Sequence, residues 1–242
     1  MRYNGVDILS VHPAISINKE IPPGMAARNI RTISGKRGDK VAGVDLRQDE
    51  YVVRVNIAAK SRQEAWRVRA LLAAWATSSG EQTALLEPTH WSQVAYNAIV
   101  KAIEPPEFVF SHATVEVIFT MPDPVPFEQI VSIAQGTTTA RMEIGGALAA
   151  EPVVTYTPEN AVEGLEMLLD GKAFFAINGQ ISAGTEIIID TVEGGLLIGG
   201  EHQEKRINYS KTDWRPGFTP GLHTLQASAE GTLQARWHNR WA

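Results

Sequence analysis

The segment from Arg28 to Lys40 contains the residue types in this 242-residue chain that most suggest chemistry. It includes Ser34-Gly35-Lys36-Arg37-Gly38, and a glycine followed by a lysine occurs in loops that bind phosphate. Such a loop also needs a glycine five residues before the Gly-Lys pair and a serine or threonine after the lysine, but these positions hold Ile30 and Arg37. The sequence therefore favours a solvated, glycine-tipped hairpin or loop, with a protein contact through Lys36 and Arg37 as the alternative.

The histidines and carboxylates show no catalytic or metal-binding pattern. The six histidines lack the i, i+4 spacing of a helical zinc site: His12, His90, His112, His202, His223 and His238. Zero cysteines exclude disulfides, thiolate zinc sites and cysteine nucleophiles. A β-sandwich with two carboxylates could be a glycosidase, but Glu186, Asp190 and Glu193 are typical of strand ends and turns. We therefore predict no catalytic residue, no metal site, no cofactor and no enzymatic activity.

The composition is that of a soluble globular protein, with 44% hydrophobic and 20% charged residues. No apolar stretch approaches the roughly 20 residues that a membrane span needs. The N-terminus lacks the apolar segment of a signal peptide. We expect a protein that is made and kept in the cytoplasm and does not associate with a membrane.

Three prolines mark a boundary between two domains. Pro122, Pro124 and Pro126 cannot continue a helix or occupy a central strand, and they favour an extended connector. The charge changes at the same point, because residues 1–126 have a net charge of +1 and residues 127–242 have a net charge of −6. We therefore predict domains at 1–126 and 127–242. Neither is basic enough to bind nucleic acid through electrostatics alone.

The C-terminal half is predicted to be a series of short strands joined by tight turns. Asn178-Gly179 is the strongest short hairpin signal, because both residues tolerate a positive φ. The isoleucines at 187–189, bounded by glycines, are typical of a strand in a sandwich core. These features predict an all-β domain.

The N-terminal half combines strands with one helix. The alternation from Gly43 to Lys60 predicts a strand, and Ser61 with Glu64 forms a capping box that opens a helix over about 61–78. Gly80 should stop this helix. Further strands are predicted at Thr83 to Glu87, Val94 to Ile103 and Ala113 to Thr120.

Helical periodicity separates the two faces of this helix. One arc should face the sheet: Ala65, Val68, Leu71, Leu72 and Trp75. Trp66 falls on the opposite face with Arg62 and Arg69, and tryptophan and arginine are enriched in protein interfaces. We therefore predict an interface at Arg62, Trp66 and Arg69. The alternative is that Trp66 only lies along a neighbouring loop, with its ring covered by the arginine stems.

The order of these elements resembles one family across the whole chain, the distal tail proteins of bacteriophages with long, non-contractile tails. The likeness depends on order and spacing, since no single motif is diagnostic. Three stretches carry it: Ile21 to Val100, with the helix at its centre; Glu151 to Tyr156; and Phe174 to Trp241, including Asp213-Trp214, Phe218 to Gly221 and the C-terminal Leu233 to Trp241.

The resemblance implies a fold and a mechanical role. The fold class would be mainly β, with an α+β N-terminal domain containing one main helix and an all-β, galectin-like sandwich as the C-terminal domain. The N-terminal domains would form a homo-hexameric ring at the virion tail tip, assembled in the host bacterial cytoplasm. The partners would be the tail tube protein, the tail-tip or tail-lysin protein and, in some members, receptor-binding or baseplate proteins. DNA would pass through without being recognised by sequence.

A carbohydrate-binding module for attachment to the host cell wall is the alternative function. Sugar sites use exposed aromatic rings beside polar groups. Trp214, next to Arg215 in a loop, is the predicted exposed contact. Trp237 and Trp241 lie at the chain end, where an aromatic residue more often fixes the terminus to the core.

Overall fold

The computed structural model describes residues 1–23, 27–32, 39–45, 49–109, 112–192, 194–213 and 218–241. The chain divides into two compact units, Met1–Pro126 and Phe127–Ala242. Both are built mainly of antiparallel strands, and the first contains an α-helix, so the predicted fold class is confirmed. No helix in these ranges is long and apolar enough to cross a membrane.

The N-terminal unit is built on a large antiparallel sheet that carries a helix. Its elements are β1 (Arg2–Tyr3), β2 (Val6–Asp7), a 3-10 helix (Ile8–Ser10), β3 (Ile15–Ile21), β4 (Ala27–Thr32), β5 (Asp39–Asp45), β6 (Asp49–Ala58), α1 (Arg62–Ala76), β7 (Ala84–Glu87), β8 (Val94–Ile103), β9 (Glu107–Val109) and β10 (His112–Met121). The strand order is β2-β1-β7-β8-β10-β6-β3, and β9 also pairs with β10. The strands β4 and β5 form a separate two-stranded sheet.

The core of this unit lies between α1 and the sheet. Strand β6 buries every second residue from Tyr51 to Ile57, as the alternation predicts. The helix buries Ala65, Val68, Leu72 and Trp75. The prediction for Leu71 was wrong, because this side chain is 46% exposed. Leu71 lies about a quarter turn from the centre of the buried arc, at an edge that the sheet does not cover.

The ends of α1 follow local hydrogen bonding. The Ser61 hydroxyl accepts a hydrogen bond from the Glu64 backbone amide at 3.2 Å, which confirms the N-cap. The Glu64 carboxylate binds the backbone amide of Lys60 at 2.7 Å rather than that of the cap residue. The helix ends at Ala76, two residues before the predicted end, and Gly80 follows with a φ of 65°.

The C-terminal unit is a sandwich of two antiparallel sheets. Its elements are β11 (Phe127–Glu128), β12 (Ser132–Gly136), β13 (Thr139–Ile144), β14 (Val153–Pro158), β15 (Val162–Leu169), β16 (Lys172–Ile181), β17 (Ile187–Asp190), β18 (Gly195–Ile198), β19 (Glu201–His202), a 3-10 helix (Glu204–Arg206), β20 (Gly221–Ala227) and β21 (Gly231–Trp237). One sheet has the order β12-β21-β14-β17-β18-β19 and the other β13-β20-β15-β16.

Alternating residues of both sheets form the sandwich core. Ile187 and Ile189 are fully buried, which confirms the predicted core strand. Trp237 is 4% exposed, as expected for a tryptophan that fixes the chain end to the core. Trp241 is only partly buried.

The prediction of a tight turn at Asn178-Gly179 was wrong. Both residues lie inside β16, where the register with β15 shifts, and Gly179 has a φ of 86°. The side chain of Arg206 donates to the carbonyls of residues 178, 179 and 180 at 2.7–3.0 Å, so these groups of the irregular segment have a partner. The tight turn is instead Asp170-Gly171, with φ values of 51° and 76°.

Candidate protein interface

The outer flank of α1 exposes an aromatic ring beside arginines. Trp66 is 48% exposed, and the Arg69 guanidinium lies 5.5 Å from the centre of its ring. This is a cation–π contact at the protein surface. About half of the surface of Trp66 remains available to a partner, so Arg69 covers this residue only in part.

Arg69 also connects α1 to the end of strand β8. Its Nε donates to the carbonyl of Glu104 at 2.9 Å, and one of its two terminal nitrogens, Nη2, donates to the carbonyl of Ile103. These bonds satisfy two backbone acceptors and hold the guanidinium in place. The charge beside Trp66 is therefore fixed before any partner binds, which lowers the entropic cost of an interface.

Arg62 extends the same surface by one helical turn. Its guanidinium lies 5.3 Å from the centre of the Phe108 ring, and Phe108 is half-buried against the core. Arg62, Trp66, Arg69 and Phe108 are thus neighbours on one side of the unit, and we call them the Trp66 surface. Tryptophan, phenylalanine and arginine are enriched in protein interfaces, and tryptophan and arginine are the commonest hot spots.

The structure brings three of the predicted site residues together and leaves four outside the described ranges. Arg62, Trp66 and Arg69 share one flank of α1, as the periodicity predicts. Lys36, Arg37, Trp214 and Arg215 are not among the described residues. Strands β4 and β5 pair antiparallel from Ala27↔Asp45 to Thr32↔Asp39, as a hairpin in the basic segment requires.

A groove next to the Trp66 surface was not predicted from the sequence. It has a volume of about 560 Å³, and its lining comes from β3, β6, β10 and the connection after β8: Asn18, Arg54, Glu104, Pro105, Pro106, Glu107, Thr114 and Glu116. The available signal in the sequence was the pair of glutamates, Glu104 and Glu107, on either side of Pro105-Pro106.

An ion pair crosses the lining of this groove. The Arg54 side chain donates to the Glu116 carboxylate at 2.6 Å, and both side chains keep 33–46% of their surface exposed. Nearby, Asn18 and Thr114 each donate to the Asn56 amide oxygen at 3.3 Å. Three carboxylates therefore line the groove against one guanidinium, and the groove is polar and negatively charged.

A buried carboxylate stabilises the same sheet away from the groove. The Glu20 side chain is 7% exposed, and it accepts hydrogen bonds from the Tyr51 hydroxyl, the Thr89 amide and His90 at 2.8–3.3 Å. Burial would raise the pKa of Glu20, but the bonds from Thr89, Tyr51 and His90 outweigh it and lower the pKa. Burial and the bond to Glu20 raise the pKa of Tyr51. The described contacts of the Glu20 carboxylate all join parts of this unit, which favours a rigid scaffold.

The C-terminal unit contains a histidine–carboxylate contact between His223 and Asp170, besides the more exposed pair His202 and Glu204. His223 Nδ1 lies 2.7 Å from the Asp170 carboxylate, and its Nε2 lies 2.7 Å from the Thr219 carbonyl. Burial would lower the pKa of His223, but these two acceptors raise it. In the described ranges, no three metal-ligating side chains come close enough to hold an ion.

The C-terminal residues match a known family of proteins. Residues 145–241 match the family model described as the siphovirus-type tail component, C-terminal domain, of the phage SPP1 Dit type. This match lies within the C-terminal unit, and the resemblance to distal tail proteins is confirmed.

The whole chain has the fold of one solved phage protein. The crystal structure of the SPP1 Dit protein, described as a paradigm of the hub of the adsorption apparatus in phages that infect Gram-positive bacteria, matches with a TM-score of 0.81. The identity is 14%, and the match covers 99% of this chain and 98% of that one. A chain of the phage P2 baseplate, in its activated conformation with calcium, matches with a TM-score of 0.50 at 10% identity over 93% of this chain and 90% of that one. No curated protein sequence matches the chain.

Proposed function

We propose that this chain is a structural hub protein of a siphovirus-type phage tail. The observation that carries the proposal is the match to the SPP1 hub over nearly the full length of both chains, together with the family match of residues 145–241. The role is mechanical rather than enzymatic. The hub joins the tail tube to the proteins of the tail tip or baseplate, at the tip of the virion tail, after assembly in the host bacterial cytoplasm.

The N-terminal units form the ring in this proposal, as a homo-hexamer through which DNA passes without sequence recognition. A closed ring repeats one heterologous contact, so each subunit needs two different complementary patches. The Trp66 surface supplies one of them, because it combines an exposed tryptophan with a pre-positioned arginine. Residues 1–126 carry a net charge of only +1, which suits a channel that does not hold DNA phosphates.

Imaging of the purified protein tests this proposal. Negative-stain micrographs should show rings whose class averages have six-fold symmetry, single or stacked in pairs. Particles of one subunit only, at every concentration, would contradict self-assembly. Saccharide-dependent quenching of tryptophan fluorescence that is lost in Trp214→Ala would favour the sugar-binding alternative, and its absence from the wild type would remove it.

A further inference from the structure

One end of the six-stranded sheet in the C-terminal unit exposes apolar side chains. Strand β12 lies at this end, and among the described strands it pairs only with β21. Ile130, Val131 and Ile133 are 77%, 42% and 53% exposed. Within β12 the residues alternate, because Ala134 faces the core whereas Ile133 and Gln135 face the solvent. The outer side of this edge is therefore apolar and accessible.

The other three sheet ends that the structure describes in this unit are protected against further pairing. Natural sheets use charges, very short strands or a covering segment for this purpose. Strand β13 carries the exposed charges Arg141 and Glu143. Strand β19 has only two residues. Strand β16 is covered, because the backbone amides of Asn208 and Asp213 donate to its carbonyls at 2.9–3.0 Å.

Strand β12 has none of these protections in the part of the chain that the structure describes. Its five residues, Ser-Ile-Ala-Gln-Gly, include no charge and no proline, and its pairing with β21 runs without a register shift. An edge strand directs part of its backbone N–H and C=O groups away from its own sheet. An apolar, uncharged edge with such groups is a template for pairing with another extended chain.

The size of this edge indicates what it accepts. A strand of five residues is about 17 Å long, and a strip about 10 Å wide along it covers on the order of 170 Å². Stable interfaces between folded proteins bury about 800 Å² on each side. The edge alone is therefore too small to hold two folded subunits together, whereas it matches a single extended segment.

Arg236 gives this edge a charge preference. It lies opposite Ile133 in the pairing of β12 with β21, and its side chain is exposed. Its described hydrogen bond is to Gln234, and no described carboxylate forms a salt bridge with it. A strand added to β12 would lie about 10 Å from Arg236, a distance that two long side chains span. The guanidinium therefore favours a carboxylate over a cation on the added strand.

We infer that the free edge of β12 binds an extended segment of a partner protein, which adds a strand to the six-stranded sheet. The segment has apolar residues at alternate positions, which pack beside Ile133, and a carboxylate on the side of Arg236. Main-chain hydrogen bonds supply the affinity, and the alternating side chains supply the selectivity. The site belongs to the C-terminal unit, so the inference does not depend on the proposed ring.

Selection from a library of random peptides tests this inference, and display in many copies retains weak binders. The library is selected on the full chain and, in parallel, on Ile133→Lys, since a lysine blocks pairing at natural sheet edges. Ile133 lies outside the sandwich core, so this variant should fold, and thermal unfolding checks this. Leu222→Lys is the matched control, because Leu222 is 80% exposed on β20, which has a strand on each side.

Peptides with alternating apolar residues and a carboxylate should be enriched on the wild type and on Leu222→Lys. Fluorescence anisotropy with an enriched peptide should give a dissociation constant at least about tenfold higher for Ile133→Lys. Arg236→Glu should also weaken binding, and a lysine in place of the peptide's carboxylate should restore it.

Methylation of the peptide's backbone amides separates strand pairing from simple apolar contact. In an added strand, alternate amides face β12 and the others face the solvent. Methyl groups on the set that faces β12 should abolish binding, whereas methyl groups on the other set should be tolerated. Equal effects of the two methylated sets would show a contact without strand pairing and would overturn the inference.

Other results would also contradict it. Failure of any peptide to be enriched on the wild type relative to Ile133→Lys would exclude the edge as a binding site. Self-association of the wild type that is lost in Ile133→Lys, measured by light scattering, would make a second copy of this chain the occupant. Ring assembly should be the same in the wild type and in Ile133→Lys, so the failure of this inference and the failure of the proposed ring are read separately.

Discussion

The two units of this chain cover their sheets in different ways. The N-terminal sheet is covered on one face by α1, and the groove side presents polar and charged residues such as Arg54 and Glu116. The C-terminal unit packs two sheets on each other. A later segment protects its edge strand β16, because the backbone amides of Asn208 and Asp213 donate to β16 carbonyls at 2.9–3.0 Å. The comparison indicates that the N-terminal unit offers shaped surfaces for assembly, whereas the C-terminal unit is closer to a self-contained sandwich.

The largest effects should come from removing a core aromatic ring from either unit. Phe119→Ala would remove a fully buried ring that packs 5.0 Å from Tyr3 and 6.2 Å from Trp75, at a cost of about 3–5 kcal/mol. Phe218→Ala is the matched change in the C-terminal sandwich. Hydrogen exchange measured by mass spectrometry should show lost protection mainly in the mutated unit. Equal loss in both units would contradict two separate cores.

Variants of the Trp66 surface should have the next largest effect, and it should be on assembly and not on folding. Trp66→Ala should weaken ring assembly by about 2–4 kcal/mol, as expected for a tryptophan hot spot, and leave thermal unfolding of the isolated chain nearly unchanged. Arg69→Glu should act in the same direction. Tyr209→Ala is the matched control, because Tyr209 is 63% exposed on the C-terminal unit. Unchanged assembly in both α1 variants would remove the Trp66 surface from the interface.

A smaller loss of stability should follow when the N-cap of α1 is removed. Ser61→Ala removes the hydroxyl that accepts from the Glu64 amide, so the free energy of unfolding of the N-terminal unit should fall by about 1 kcal/mol. Ser61→Asp keeps an acceptor and should restore most of it. A loss confined to the C-terminal unit in denaturant titrations followed by site-specific probes would contradict this assignment.

The smallest expected effect is a pH dependence of the C-terminal unit. The pKa of His223 is raised above 6.5, so its contribution to stability is fully present below that pH and is lost as the pH rises through the folded-state pKa. The melting temperature should therefore decline between about pH 6 and 8 more in wild type than in His223→Gln. His202→Gln, at a side chain that is 79% exposed, is the control. Identical profiles for wild type and His223→Gln would exclude this contribution.

Local patterns were sufficient to predict most elements. Strand β8 has the predicted bounds Val94–Ile103, and the N-cap at Ser61 is confirmed. The turn prediction at Asn178-Gly179 failed because the positive φ of Gly179 occurs at an irregular point within strand β16. Arg206 binds the backbone carbonyls there. That arginine is distant in sequence, so a local rule could not include it. Asp170-Gly171 carried an equally valid turn signal.

The candidate interface was only partly predictable. Periodicity places Trp66 and Arg69 on one helix flank, because both positions depend on a single element. Phe108 and the groove depend on how β9 and the connection after β8 pack near α1 and the sheet, which sequence spacing does not specify. The charge of residues 28–40 was visible in the sequence, whereas the grouping of Glu104, Glu107 and Glu116 around one groove required the fold.

The native mass of the purified chain tests the proposed ring most directly. Light scattering on a sizing column should give six or twelve times the 26.4-kDa mass of the chain, with the larger species favoured as concentration rises. The fraction assembled should fall in high salt, since charged surfaces contribute to the contact. A single 26.4-kDa species at every concentration and salt would contradict a self-assembling hub.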